Sequence, residues 1–154
     1  MKILFIGDIV SKPGKDTVIQ LLPQLKIDQS IDLVIANAEN VTQGRGASAD
    51  DVSDLVNAGV DFFTSGDHIF WQKNTDNYIE SLPVVIPANY PAKIPGKRFG
   101  IVKDTLIINV KKETLSSISK KLYSNFSPVF LAISIIPNPL PPLRDLIPLF
   151  NIDL

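Results

Sequence analysis

The chain has 154 residues, 45% hydrophobic and 20% charged, with a formal net charge of −1, which is the size and balance of one globular domain with a real core. It contains no cysteine, and this excludes disulfides, zinc–thiolate sites, iron–sulfur clusters and thiol nucleophiles. The charge makes no electrostatic case for nucleic acid or an anionic membrane as partner, while a nucleotide-sized substrate stays open because a bound cation can supply positive charge locally.

Residues 2–6 (KILFI) form a near-continuous apolar run, as expected of a strand covered on both faces. The run is too short for a signal peptide or a membrane span, so a cytoplasmic protein is expected. Gly7-Asp8 ends it, and residues 11–14 read as a loop with Pro13 near a helix start. Val18, Leu21, Leu22 and Leu25 recur at helical spacing and predict an amphipathic helix over 15–29, kinked or split at Pro23. Residues 32–36 (DLVIA) predict a second strand, which runs into Asn37-Ala38-Glu39-Asn40 and a polar loop holding Gly44-Arg45-Gly46. Ser48 reads as a helix N-cap with Asp50 and Asp51 in the first turn, and Gly59 as the stop. Residues 60–64 predict a third strand leading into Ser65-Gly66-Asp67-His68. A short surface helix within 72–82, a fourth strand at 84–86, a long turn through Pro87-Ala88-Asn89-Tyr90-Pro91 and a hairpin of 99–102 with 105–110 follow.

Beyond residue 110 the character changes. All eight glycines lie at or before Gly100, and half of the twelve prolines lie after Val110. Residues 111–127 show weak helical periodicity, 129–136 are an apolar run too short to cross a bilayer, and 137–154 are too proline-dense for regular helix or central strand. The expected organisation is an α/β domain over 1–110 with a largely parallel sheet, and a divergent tail over 111–154.

In parallel α/β sheets, sites lie beyond the carboxyl ends of the strands. Asp8, Glu39, Asn40, Asp67 and His68 all fall there. Any one of them alone is what loop solvation or helix capping would also give; their convergence is what points to a site. Asp8, Glu39 and Asp67 are hard oxygen donors suited to Mg²⁺, Mn²⁺ or iron. A carboxylate bridging two metals about 3.5–4 Å apart is a common device for phosphate-ester hydrolysis. His68 is the only imidazole in the chain and so the only one able to protonate a leaving alkoxide. Arg45 could contact a phosphate, although a solvated loop arginine is the favoured reading, by about three to one. A dinucleotide-binding reading is weaker, because no Gly-x-Gly-x-x-Gly follows the first strand.

The series Gly7-Asp8-Ile9-Val10, Asn37-Ala38-Glu39-Asn40, Gly66-Asp67-His68 and Pro87-Ala88-Asn89-Tyr90-Pro91 resembles the calcineurin-like metallophosphoesterase superfamily, and within it the bacterial YmdB-like 2′,3′-cyclic-nucleotide phosphodiesterases, over about residues 1–110. The resemblance implies an α/β sandwich with a two-metal site, often iron, otherwise Mn or Mg. It implies that Asp8 binds the first metal, Glu39 bridges both, Asn40 contacts the first metal or its water, Asp67 binds the second and His68 is the proton donor.

Two departures qualify this. The family has Gly-Asn-His where this chain has Gly66-Asp67-His68, and the extra negative charge would tighten a metal while weakening the attraction for phosphate. The family also carries three further histidine ligands in a C-terminal half, and this chain has no second histidine. A frameshift, a split gene or a decayed copy would each give that picture. The expectation is a metal-dependent phosphodiesterase by descent, truncated and weakly active or inactive alone, with an incomplete second metal site. The alternative is a non-catalytic remnant acting as a metal-binding or protein-interaction module. The partners open to the chain are a small phosphodiester or cyclic nucleotide, a second copy of itself through an exposed apolar face, or a second chain supplying the missing ligands. A sheet face left open is also expected, covered by residues 129–136 and 146–152 if at all.

Overall fold

The computed structural model describes residues 1–111 and 129–135. Strands β1 (Ile3–Asp8), β2 (Leu33–Asn37), β3 (Phe62–Thr64) and β4 (Val84–Val85) form a sheet in sequential order, with every neighbouring pair parallel. Helices α1 (Ser11–Asp28), α2 (Ala49–Asn57) and α3 (Thr75–Tyr78) occupy the connections. Crossovers between parallel strands share one hand, so a sequential strand order places them all on one face of the sheet. The other face is free to receive β5 (Phe99–Val102), β6 (Thr105–Lys111) and β7 (Val129–Ile135), a three-stranded antiparallel sheet. The expected α/β fold with its parallel sheet is therefore present.

The strands are apolar throughout because each alternates between two cores. Val34, Ala36, Phe63 and Val84 face the helical side, with Leu22, Val52 and Leu55. Leu33, Ile35, Phe62 and Val85 face the second sheet, with Ile107. The approach of the second sheet is close: a Cβ on Gly100 would lie 2.3 Å from Phe62 Cζ, so this strand position needs glycine.

Several expectations are corrected. Residues 11–14 are helical rather than a loop, since α1 begins at Ser11. Pro23 neither splits nor ends α1. An interior proline costs about 3 kcal/mol, and here the helix is anchored on both sides of it: Leu22 is buried in the core, and Lys26 Nζ donates to the Gly59 carbonyl at 2.7 Å. Leu21 and Leu25 do not share Leu22's burial; they are 57% and 40% exposed. Residues 129–135 form β7 and extend the second sheet, pairing along β6 from Lys111↔Val129 to Thr105↔Ile135. Ile107 and Val102 of the β5–β6 hairpin pack on the parallel sheet, and Phe5 of β1 is 40% exposed. The expectations for 112–128 and 136–154, the 146–152 cover included, lie outside the described residues. Among the described residues no helix is long and apolar enough to cross a membrane.

Candidate active site

Three strand ends of the parallel sheet build the site. In β1 the register against β2 slips between Ile6 and Asp8, so Gly7 is an extra residue that re-aims Asp8 at the strand's end. The chain beyond it is tied to the neighbouring loop by Ile9 N donating to Asn37 O at 3.1 Å and Ser11 N to Asn40 O at 3.0 Å. In β2 the last residue, Asn37, turns its side-chain oxygen back to accept from Glu39 N at 3.0 Å, while Ala38 N donates to Thr64 O across to β3. These bonds fix the Glu39-Asn40 pair where the first and third strands end.

Glu39 is buried, and its carboxylate lies directly against Gly66. A Cβ at position 66 would fall 2.2 Å from Glu39 Oε2. Gly66 is therefore the residue that makes room for the carboxylate, and His68 N donates to the same oxygen at 3.3 Å. Burial pushes the Glu39 carboxyl above its ordinary range; the His68 N–H pulls it part of the way back, and the charges of Asp8 and Asp67 raise it further. Asp67 itself is exposed.

Asp8, Asn40 and His68 form a hydrogen-bonded chain. Asn40 Nδ2 donates to Asp8 Oδ2 at 2.7 Å, and Asn40 Oδ1 lies 2.6 Å from His68 Nδ1. A carboxylate only accepts, so the amide must turn its NH₂ towards Asp8 and its oxygen towards the imidazole. The amide oxygen in turn only accepts, so the proton sits on His68 Nδ1. Nε2 is the nitrogen left for chemistry.

The indole of Trp71 meets the His68 ring edge-on, with centroids 5.6 Å apart. Arg45 lies over the same indole, its Cζ 4.2 Å from the ring centroid. Trp71 and the supporting Asn109, whose side-chain amide donates to the Ser65 carbonyl from β6, had no signal in the sequence. Tyr90 belongs to a motif already noted; its hydroxyl donates to the Gly66 carbonyl at 3.3 Å.

The structure thus brings Asp8, Glu39, Asn40 and His68 into direct or one-residue contact, with Asp67 close enough to act on Glu39's charge. Its fit to a metal is one of chemistry. The converging donors are oxygen atoms, as hard divalent cations prefer. A buried carboxylate raised by two further carboxylates lacks the positive charge that such an ion would bring. Among the described residues, however, no three His, Cys, Asp or Glu side chains stand together as a ready-made cluster. A pair of ions would need further donors.

The model of the YmdB-like protein family matches residues 4–131. A 2′,3′-cyclic-nucleotide 2′-phosphodiesterase of Bacillus subtilis is 36% identical over 119 residues, covering 74% of this chain and 45% of that protein. Among solved structures, a hypothetical protein of Thermus thermophilus superposes with TM-score 0.63 at 41% identity, over 67% of this chain and 40% of that one. A phosphatase of Mycoplasma pneumoniae superposes with TM-score 0.62 at 32% identity, over 69% and 40%. The chain spans less than half the length of each of these relatives. With its strand-end motifs in place and the family model matching most of its length, the chain belongs to the YmdB-like protein family.

Proposed function

We propose that the chain supplies the strand-end part of a phosphodiesterase site acting on a small phosphodiester such as a 2′,3′-cyclic nucleotide. The observation that carries this reading is the chain Asp8–Asn40–His68 beside a buried Glu39, and the name of the Bacillus subtilis relative supplies the substrate class. Asp8, Glu39, Asn40 and Asp67 would hold the divalent metal, iron, manganese or magnesium. A metal so held supplies positive charge and Lewis acidity at the phosphoryl group. Asn40 keeps His68 in one tautomer and one orientation, and Asp8 polarises Asn40 in turn. His68 Nε2, carrying a proton in the imidazolium form, delivers it to the leaving alkoxide. A cation held there would offset the burial and the neighbouring carboxylates that raise Glu39.

Each ion takes about four to six donors, so the described residues fall short of a two-metal set. Slow turnover by the chain alone is the consequence, with a second copy or another chain as the source of further donors. The same shortfall favours a second reading, a non-catalytic metal-binding or interaction module. Purified protein assayed with Mn²⁺ on bis-p-nitrophenyl phosphate and 2′,3′-cyclic AMP separates the two. Weak metal-dependent hydrolysis that disappears in His68→Ala is the expected result. Stoichiometric metal without turnover supports the second reading, and turnover unaffected by His68→Ala overturns the first.

A further inference from the structure

We propose that Arg45, held on the indole of Trp71 beside His68, is the anchor for the substrate's phosphate; this rests on the phosphodiesterase reading above. The sequence leaves Arg45 as an ordinary loop cation, but the structure gives it a fixed seat. Its loop is closed by Arg45 N donating to Thr42 O at 3.0 Å and Thr42 N to Gly46 O at 3.0 Å. Gln72 Nε2 donates to the Arg45 carbonyl at 2.6 Å, which binds the loop to the segment carrying His68 and Trp71. Gly46, at φ +78°, packs so closely on that segment that a Cβ would lie 2.8 Å from Gln72 Cγ and 3.3 Å from His68 O. The loop and the His68 segment therefore keep their relative position.

The chemistry follows from how the guanidinium is held. Stacking on an indole uses its face and leaves the N–H donors in its plane available. Among the described residues no hydrogen bond or ion pair engages the Arg45 side chain, which is exposed. A planar fork of donors aimed by a ring matches two phosphoryl oxygens. The need is plain as well: Asp8, Glu39 and Asp67 make this corner acidic, and Asp67 in particular repels an anionic substrate. A fixed guanidinium on the rim offsets that repulsion without displacing any group from the Asp8–Asn40–His68 chain.

Calorimetric titration of the full chain with 2′,3′-cyclic AMP in the presence of Mn²⁺, with adenosine in parallel, tests the assignment. Arg45→Ala is expected to weaken cyclic-nucleotide binding by about tenfold or more, the range for losing a charge-assisted hydrogen bond. Arg45→Lys should restore only part of it, since a lysine keeps the charge and loses the fork. Trp71→Ala should weaken binding less than Arg45→Ala, and adenosine should not bind. Unchanged affinity in Arg45→Ala overturns the proposal, as does adenosine binding that depends on Trp71, which would make the indole a platform for the base. Failure of the wild-type chain to bind the cyclic nucleotide overturns it too. The catalytic reading fails separately, on the turnover of His68→Ala, and phosphate anchoring by Arg45 can hold where hydrolysis does not.

Discussion

Two acidic clusters in this chain receive opposite treatment. Around Asp51, between α1 and α2, the carboxylate meets Lys15 Nζ at 2.6 Å and the hydroxyls of Thr42 and Ser48 at 2.5 and 2.9 Å, and Lys15 also reaches Asp54 at 2.6 Å. Burial pushes the Asp51 carboxyl up, but Lys15, Thr42 and Ser48 together outweigh it and hold the group below the usual carboxylate range. The Lys15 ammonium is correspondingly raised by its bonds to Asp51 and Asp54. Around Glu39 burial meets two further carboxylates, the backbone N–H and the charge of His68 do not make up for them, and the group is raised. One cluster is electrically closed and fastens two helices; the other is left short of positive charge at the carboxyl ends of three parallel strands. The difference teaches how to tell the two apart: the closed cluster serves the helix packing, and the open one is where the proposed cation would act.

The sharpest way to break the contrast is Gly66→Ala. The added Cβ would collide with the Glu39 carboxylate, so the carboxylate must leave its seat while the rest of the sheet has no reason to change. Metal-dependent activity or metal affinity should fall by about 100-fold or more, beyond what the loss of a supporting partner costs, with circular dichroism unchanged. Asp51→Ala attacks the closed cluster instead. It strips the Ser48 cap and Lys15 of their shared partner and should cost about 2–3 kcal/mol in denaturant unfolding, with Mn²⁺ affinity intact. Glu39→Gln should do the reverse and stabilise the metal-free chain by about 1 kcal/mol, because a neutral amide removes a buried charge facing like charges.

The smallest expected effect is on pH dependence. Asp51, depressed when folded, contributes stability that is present above the ordinary carboxylate range and is lost as pH falls through its folded value. Glu39, raised when folded, contributes stability that is complete below the ordinary range and is lost as pH rises through its folded value. Asp51→Asn should therefore flatten the acid side of the stability curve, and Glu39→Gln the decline that sets in just above the ordinary carboxylate range. Urea unfolding at a series of pH values reads both.

How much of this the sequence discloses depends on whether a feature is local. The strand runs at β1 to β4, the Ser48 cap and the β5–β6 hairpin across Lys103-Asp104 were legible because each is written in consecutive residues. Asp8, Glu39, Asn40, Asp67 and His68 were legible as strand-end residues, since parallel order forces those ends together. Pro23 misled because its cost is local while the anchors that offset it, Leu22 in the core and Lys26 on Gly59, come from tertiary packing. The role of Gly66 was hidden for the same reason: its need for no side chain is set by Glu39, 27 positions earlier. Trp71 gave no sign at all, because its place between Arg45 and His68 depends on a loop closing from a different crossover.

The deficit at Glu39 is most directly tested by thermal unfolding of the wild-type chain and of Glu39→Gln across a range of Mn²⁺ concentrations. An ion that binds only the folded state stabilises it by about 2.7 kcal/mol at one hundred times its Kd. The wild-type midpoint should climb with Mn²⁺ from a lower metal-free start, while that of Glu39→Gln begins higher and stays flat. A wild-type midpoint that ignores Mn²⁺, or a variant that climbs in step with it, would contradict the assignment of these strand ends as a cation site.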